Sequence, residues 1–131
     1  MLKGGCFCGK IRYETDGKPF NASLCHCIDC RRVASSPLVA WFSVKREAIH
    51  YVDAQPKEFA SSDKVLRTFC PDCGSPLTYW NADAADDIDV ATCSLDDPAA
   101  VPPADHVWAS RKLQWLHTDD GLPHYPEERP D

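Results

Sequence analysis

The sequence predicts a mainly β fold, with antiparallel β-sheets folded around metal-binding cysteine knuckles. Three observations carry that reading. Eleven prolines and six glycines cut the 131 residues into short pieces, which leaves little room for long helices. Short apolar or alternating runs recur at roughly ten-residue spacing, as in a β-sandwich or folded sheet. Eight cysteines fall mostly into three tight groups.

The elements follow in order. Residues 10–14 alternate polar and apolar before Asp16-Gly17, a turn signal. Residues 38–42 read as a buried strand, and residues 49–52, 65–69, 77–80 and 88–92 as further strands. Helix is expected only after Cys27 through Val33 and from Asp97 to Val101. The acidic stretch 83–89 reads as a solvated hairpin loop, and residues 127–131 as a frayed end. Trp41, Trp80, Trp108 and Trp115 are assigned to the core. The whole chain, 1–131, is expected to form one domain.

Charge narrows the partners. Residues 1–80 carry 11 basic and 8 acidic side chains, residues 81–131 carry 3 and 12, and the net charge is −6. No basic stripe is available to neutralise phosphates, so no nucleic acid and no membrane partner is expected. The chain has neither a bilayer-length apolar run nor an apolar leader after Met1, and a cytoplasmic location is the expectation.

The cysteine groups are Cys6-Phe7-Cys8, Cys25-His26-Cys27-Ile28-Asp29-Cys30 and Cys70-Pro71-Asp72-Cys73. Thiolates one or two residues apart can turn toward one ion, whereas a disulfide between them would be strained. In a reducing compartment such groups point to metal, and all-thiolate ligands favour zinc. The outer groups together supply four ligands, Cys6, Cys8, Cys70 and Cys73, a closed structural site. That leaves Cys25, Cys27 and Cys30, three ligands with a vacancy, the usual form of a catalytic zinc. Two zinc ions per chain are therefore expected.

Several neighbours have two readings. Arg31 and Arg32 either hold thiolate charge and attract an anionic substrate, or are ordinary surface residues. Cys93 reads as a small buried hydrophobe, with the vacant ligand position as the alternative. His26, between two ligands, is expected to point away from the metal. His50, His106, His117 and His124 read as structural or exposed.

The ordered set of motifs resembles the glutathione-dependent formaldehyde-activating family, to which centromere protein V is related. The resemblance runs from about Gly5 to Tyr125. It rests on Gly5-Cys6-Phe7-Cys8-Gly9, on Cys25-His26-Cys27-Ile28-Asp29-Cys30-Arg31-Arg32, and on Phe69-Cys70-Pro71-Asp72-Cys73-Gly74-Ser75-Pro76-Leu77. Ser94-Leu95-Asp96-Asp97-Pro98, His106-Val107-Trp108 and Trp115 with Asp120-Gly121-Leu122-Pro123 continue it. Phe7, Ser35 and Cys93 stand where the family more often has His, Gly and Gly.

The resemblance implies a fold similar to class B methionine sulfoxide reductases. It implies a structural zinc on Cys6, Cys8, Cys70 and Cys73, and a catalytic zinc on Cys25, Cys27 and Cys30. The implied activity is that of a carbon–sulfur lyase joining glutathione, or a similar thiol, to formaldehyde as S-hydroxymethylglutathione. The alternative is a non-catalytic, zinc-stabilised binding module of the same fold. A sulfoxide reductase would need a reactive unligated cysteine, for which Cys93 is the sole candidate.

Overall fold

The computed structural model describes residues 1–130. Ten strands form two sheets. The smaller has the order β1 (Leu2–Gly5), β2 (Arg12–Thr15), β5 (Ile49–Tyr51). The larger has the order β10 (Asp105–Val107), β3 (Phe20–Cys25), β4 (Val39–Lys45), β9 (Asp87–Ala91), β8 (Pro76–Asn81), β7 (Val65–Phe69), β6 (Lys57–Ala60). Every strand pairing among the described residues is antiparallel, as expected, except β10 on β3, which is parallel. No helix among the described residues is long and apolar enough to cross a membrane.

Alternation decides what each face of the large sheet does. Phe42, Val44, Ile88 and Val90 pack with Tyr13 of the small sheet, and with Ile11 just before β2, in the main core. Trp41, Ser43, Asp89, Tyr79 and Arg67 stand on the opposite face and line a cleft. β4 lies between β3 and β9, so its residues Trp41 to Val44 are buried on both sides.

The one α-helix among the described residues, α1 (Ile28–Ala34), begins where the sequence expects it. Its cap is Cys27, whose Sγ accepts from the Cys30 amide at 3.2 Å. It ends at Ser35, held left-handed at φ 49°, with the Ser36 amide bonded to the Arg31 carbonyl. The helix expected at 97–101 is a single 3₁₀ turn, Pro98–Ala100, because proline opens it and no apolar stripe follows. The acidic stretch divides: residues 82–86 turn between β8 and β9 with exposed side chains, while Asp87 and Asp89 belong to β9.

The carboxy-terminal end is docked rather than frayed. The His106 amide donates to the Pro123 carbonyl at 2.8 Å and the Tyr125 amide to His106 at 2.9 Å, extending the sheet beyond β10. Arg129 makes two bonds to Asp105, at 2.9 and 3.0 Å. Asp131 lies outside the described residues. Trp115 is 67% exposed, against its assignment to the core.

Candidate metal centres and cleft

Two turns bring the outer cysteine groups together. The hairpin after β1 carries Cys6 and Cys8, and the turn after β7 carries Cys70 and Cys73; all four sulfurs lie within 4.8 Å of one another. Tetrahedral zinc with bonds of about 2.3 Å separates its sulfurs by about 3.8 Å. The Cys6–Cys8 and Cys8–Cys70 separations are 3.6 and 3.8 Å. Backbone amides aim at the sulfurs as in a knuckle: Ile11 at Cys6, 3.2 Å, and Asp72 at Cys70, 3.4 Å. Left-handed Gly9 (φ 83°) and Gly74 (φ 80°) close these turns, a backbone shape that a Cβ would strain. Ser75 ties the two turns together, its Oγ accepting from the Phe7 amide at 3.0 Å and lying 3.2 Å from Cys73 Sγ. The Ser75 hydroxyl and amide hold the Cys73 thiol down to about 5. The donor set fits a soft tetrahedral ion.

The middle group is built differently. Cys25 ends β3, Cys27 caps α1 and Cys30 lies in its first turn, so a strand-to-helix corner gathers three sulfurs within 4.8 Å. Contacts with Cys25 and Cys30 lower the Cys27 thiol, and contacts with Cys27 and Cys30 raise Cys25. Three thiols so close share protons until a cation relieves the repulsion. Neither Cys93 nor any histidine joins this trio. Cys93 is exposed in the turn Thr92–Ser94, not buried as expected, because β9 ends at Ala91 and the chain turns outward.

The trio opens onto a cleft of about 660 Å³, which Cys25, Cys27 and Cys30 line and none of Cys6, Cys8, Cys70 and Cys73 does. Its other walls include Trp41, Tyr79, Trp108 and the guanidinium-bearing Arg67. Arg67 is 7% exposed, and its Nε and Nη1 are buried without a hydrogen-bond partner. Arg31 and Arg32, the cations adjacent in sequence, line no part of the cleft. Arg67 went unremarked in the sequence, although a charge at the centre of Val65-Leu66-Arg67-Thr68-Phe69 was a signal that it serves something other than packing.

Behind the trio lies a polar chain that spacing did not reveal. His26 is fully buried and turned away from the sulfurs, its Nε2 at 2.8 Å from His106 Nδ1. His106, also fully buried, places Nε2 2.7 Å from Asp120 Oδ2 and stacks on His124 at 4.0 Å. His106, Asp120 and His124 offer ligand atoms within 4.8 Å. The two rings are stacked at 12°, however, so their in-plane lone pairs run side by side rather than converging on one ion.

Comparison with known proteins now has a geometry to meet. Residues 1–111 match the family described as glutathione-dependent formaldehyde-activating enzyme. The chain belongs to that family. Its family portion takes in all three cysteine groups, Arg67 and His106, and stops short of Asp120 and His124. An uncharacterized lyase of Schizosaccharomyces pombe is 31% identical over 77 residues. That match covers 59% of this chain and 56% of the relative's length. The crystal structure of a Rhodobacter sphaeroides protein superposes with a TM-score of 0.60, over 93% of this chain and 98% of that one. At 16% identity it is a likeness of fold.

Proposed function

We propose that this protein is a zinc-dependent carbon–sulfur lyase or synthase that makes or breaks thiol–aldehyde adducts such as S-hydroxymethylglutathione. Cys6, Cys8, Cys70 and Cys73 hold a structural zinc, and Cys25, Cys27 and Cys30 hold a catalytic one. The observation that carries this reading is that only the three-sulfur group faces the cleft. Family membership and the lyase name of the yeast relative support the reaction class. A reducing compartment such as the cytoplasm suits the chain, since it keeps the cysteines as thiols.

Zinc, when bound, stabilises a thiolate at neutral pH and polarises an aldehyde oxygen. The chain's residues supply the rest. Trp41 and Tyr79, with ring centroids 6.3 Å apart, wall the cleft and limit water around the reactants. The Cys30 amide fixes Cys27 at the corner, and the His26–His106 contact clamps the β3 end against β10. Arg67 adds positive charge beside a group that turns more negative as thiolates gather. In synthesis the thiol sulfur bonds to the aldehyde carbon, and the thiol proton ends on the new hydroxyl; breakdown is the reverse. Holding both reactants in one cleft removes the entropic cost of their encounter.

The test follows thiol–formaldehyde exchange by NMR with zinc-loaded protein. Exchange faster than the uncatalysed rate, and lost in Cys27→Ser, is expected; equality with the uncatalysed rate overturns the assignment and favours the binding-module alternative.

A further inference from the structure

Arg67, Tyr79, Asp89 and Ser43 form a row across four adjacent strands. Register pairs Arg67 with Tyr79, Tyr79 with Asp89, and Asp89 with Ser43. All four line the cleft that the cysteine trio opens onto.

Two members of this row carry charge that no ion pair neutralises among the described residues. Arg67 is more than nine-tenths buried, joins no ion pair among the described residues, and has two enclosed N–H groups without partners. Its guanidinium lies over the Tyr79 ring, 4.9 Å from the centroid, which steadies it but supplies no counter-charge. Asp89 accepts a bond from the Ser43 hydroxyl at 2.6 Å and joins no ion pair among the described residues; the nearby cation that acts on it, Arg129, is itself bonded to Asp105. Burial raises its carboxyl above the usual range, outweighing the Ser43 bond and the charge of Arg129.

Three other charges on the cleft wall, Asp83, Asp87 and Arg129, are already paired. Lys45 meets Asp87 at 2.7 Å, Lys64 meets Asp83 at 3.1 Å, and Arg129 meets Asp105 at 2.9 Å. What remains in the row is one cation and one anion, two strands apart, or about 10 Å between backbones, with an aromatic ring between them. Leaving a buried charge unpaired is costly, and a ligand of complementary charge would remove that cost.

We propose that this row binds an amino-acid-type thiol, with its carboxylate at Arg67, its ammonium at Asp89 and its sulfur toward Cys25, Cys27 and Cys30. The placement of the sulfur rests on the proposed function; recognition by the row does not. A neutral thiol answers neither charge, a simple carboxylate answers only Arg67, and a second carboxylate near Asp89 is repelled.

The two halves separate when the sulfur is blocked. S-methylcysteine and S-methylglutathione keep both charged groups but cannot form a thiolate, and their N-acetyl forms lack the ammonium. Calorimetric titration into the metal-loaded protein is expected to show at least one S-methyl ligand binding, about tenfold more tightly than its N-acetyl form. Arg67→Gln is expected to weaken it tenfold or more, with partial recovery in Arg67→Lys. Asp89→Asn is expected to abolish discrimination against the N-acetyl form. If neither S-methyl ligand binds, or if N-acetylation and both substitutions leave affinity unchanged, the row is not a recognition site. That result leaves the lyase assignment intact as long as the NMR exchange with free thiols is accelerated; loss of exchange with every thiol is instead the failure of that assignment.

Discussion

His26 and His106 are joined by a single buried contact, Nε2 to Nδ1 at 2.8 Å. The His106 contact lowers the Asp120 carboxyl below its ordinary range, so Asp120 accepts and His106 Nε2 carries the proton. When both rings are neutral, His106 has a bare Nδ1 and His26 Nε2 donates to it. That leaves His26 Nδ1 as a lone pair, and this atom is buried without a partner. His106→Ala removes the partner of a fully buried His26 ring nitrogen and opens a cavity between β10 and β3. A loss of about 2–4 kcal/mol in unfolding free energy is expected, read from urea titration.

Protonation of His26 is expected to erode stability in mild acid. Burial, then the neighbouring His106, lowers its pKa from 6.5 to about 4. The folded state therefore binds fewer protons than the unfolded state between those values, and the stabilisation is complete above 6.5. It falls away as the pH drops toward 4. Urea midpoints measured against pH should show this slope for the native chain and a shallower one for His26→Gln, which keeps the same cysteines.

Ser35 is expected to be improvable. It caps α1 at φ 49°, where a Cβ is strained, and glycine is the common residue at such a cap. Ser35→Gly should raise stability by about 0.5–1 kcal/mol, read as a higher melting temperature with no change in metal content.

The two sulfur groups should fail differently. Cys70 is fully buried in the main core, and Cys70→Ser should lose one metal and several kcal/mol of stability, visible as broadened NMR spectra. Cys27, half-buried at the cleft, should be replaceable by serine with the fold intact and the second metal lost, as counted by mass spectrometry. Equal structural collapse in both variants would contradict the division of roles.

The cysteine groups were legible because their geometry is local: a turn between two ligands dictates where both sulfurs point. Strands β7 and β5 were legible from their apolar runs, and β2, β8 and β9 within a residue or two at their ends. β6 escaped notice because all its residues are exposed at the sheet edge, where no alternation is required. β3 reads Phe-Asn-Ala-Ser-Leu-Cys and carries a register shift between Phe20 and Ser23, which blurs its pattern. β10 is three buried residues held by a parallel neighbour and by the docked carboxy-terminal segment. Arg67, Asp89, His26 and His106 gain their meaning only from register and from contacts distant along the chain. No spacing in the sequence announces them.

The three sulfurs of the corner emerge from the ribosome almost together, whereas Cys8 must wait for Cys70, 62 positions later. With the metals bound as proposed, an ion would be captured at the corner by a nascent chain, while the other centre would act as a clasp that fastens only when the first hairpin meets the turn after β7. Metal starvation during synthesis would leave that clasp undone, with the first hairpin and the β7 turn each free to engage the wrong sulfurs.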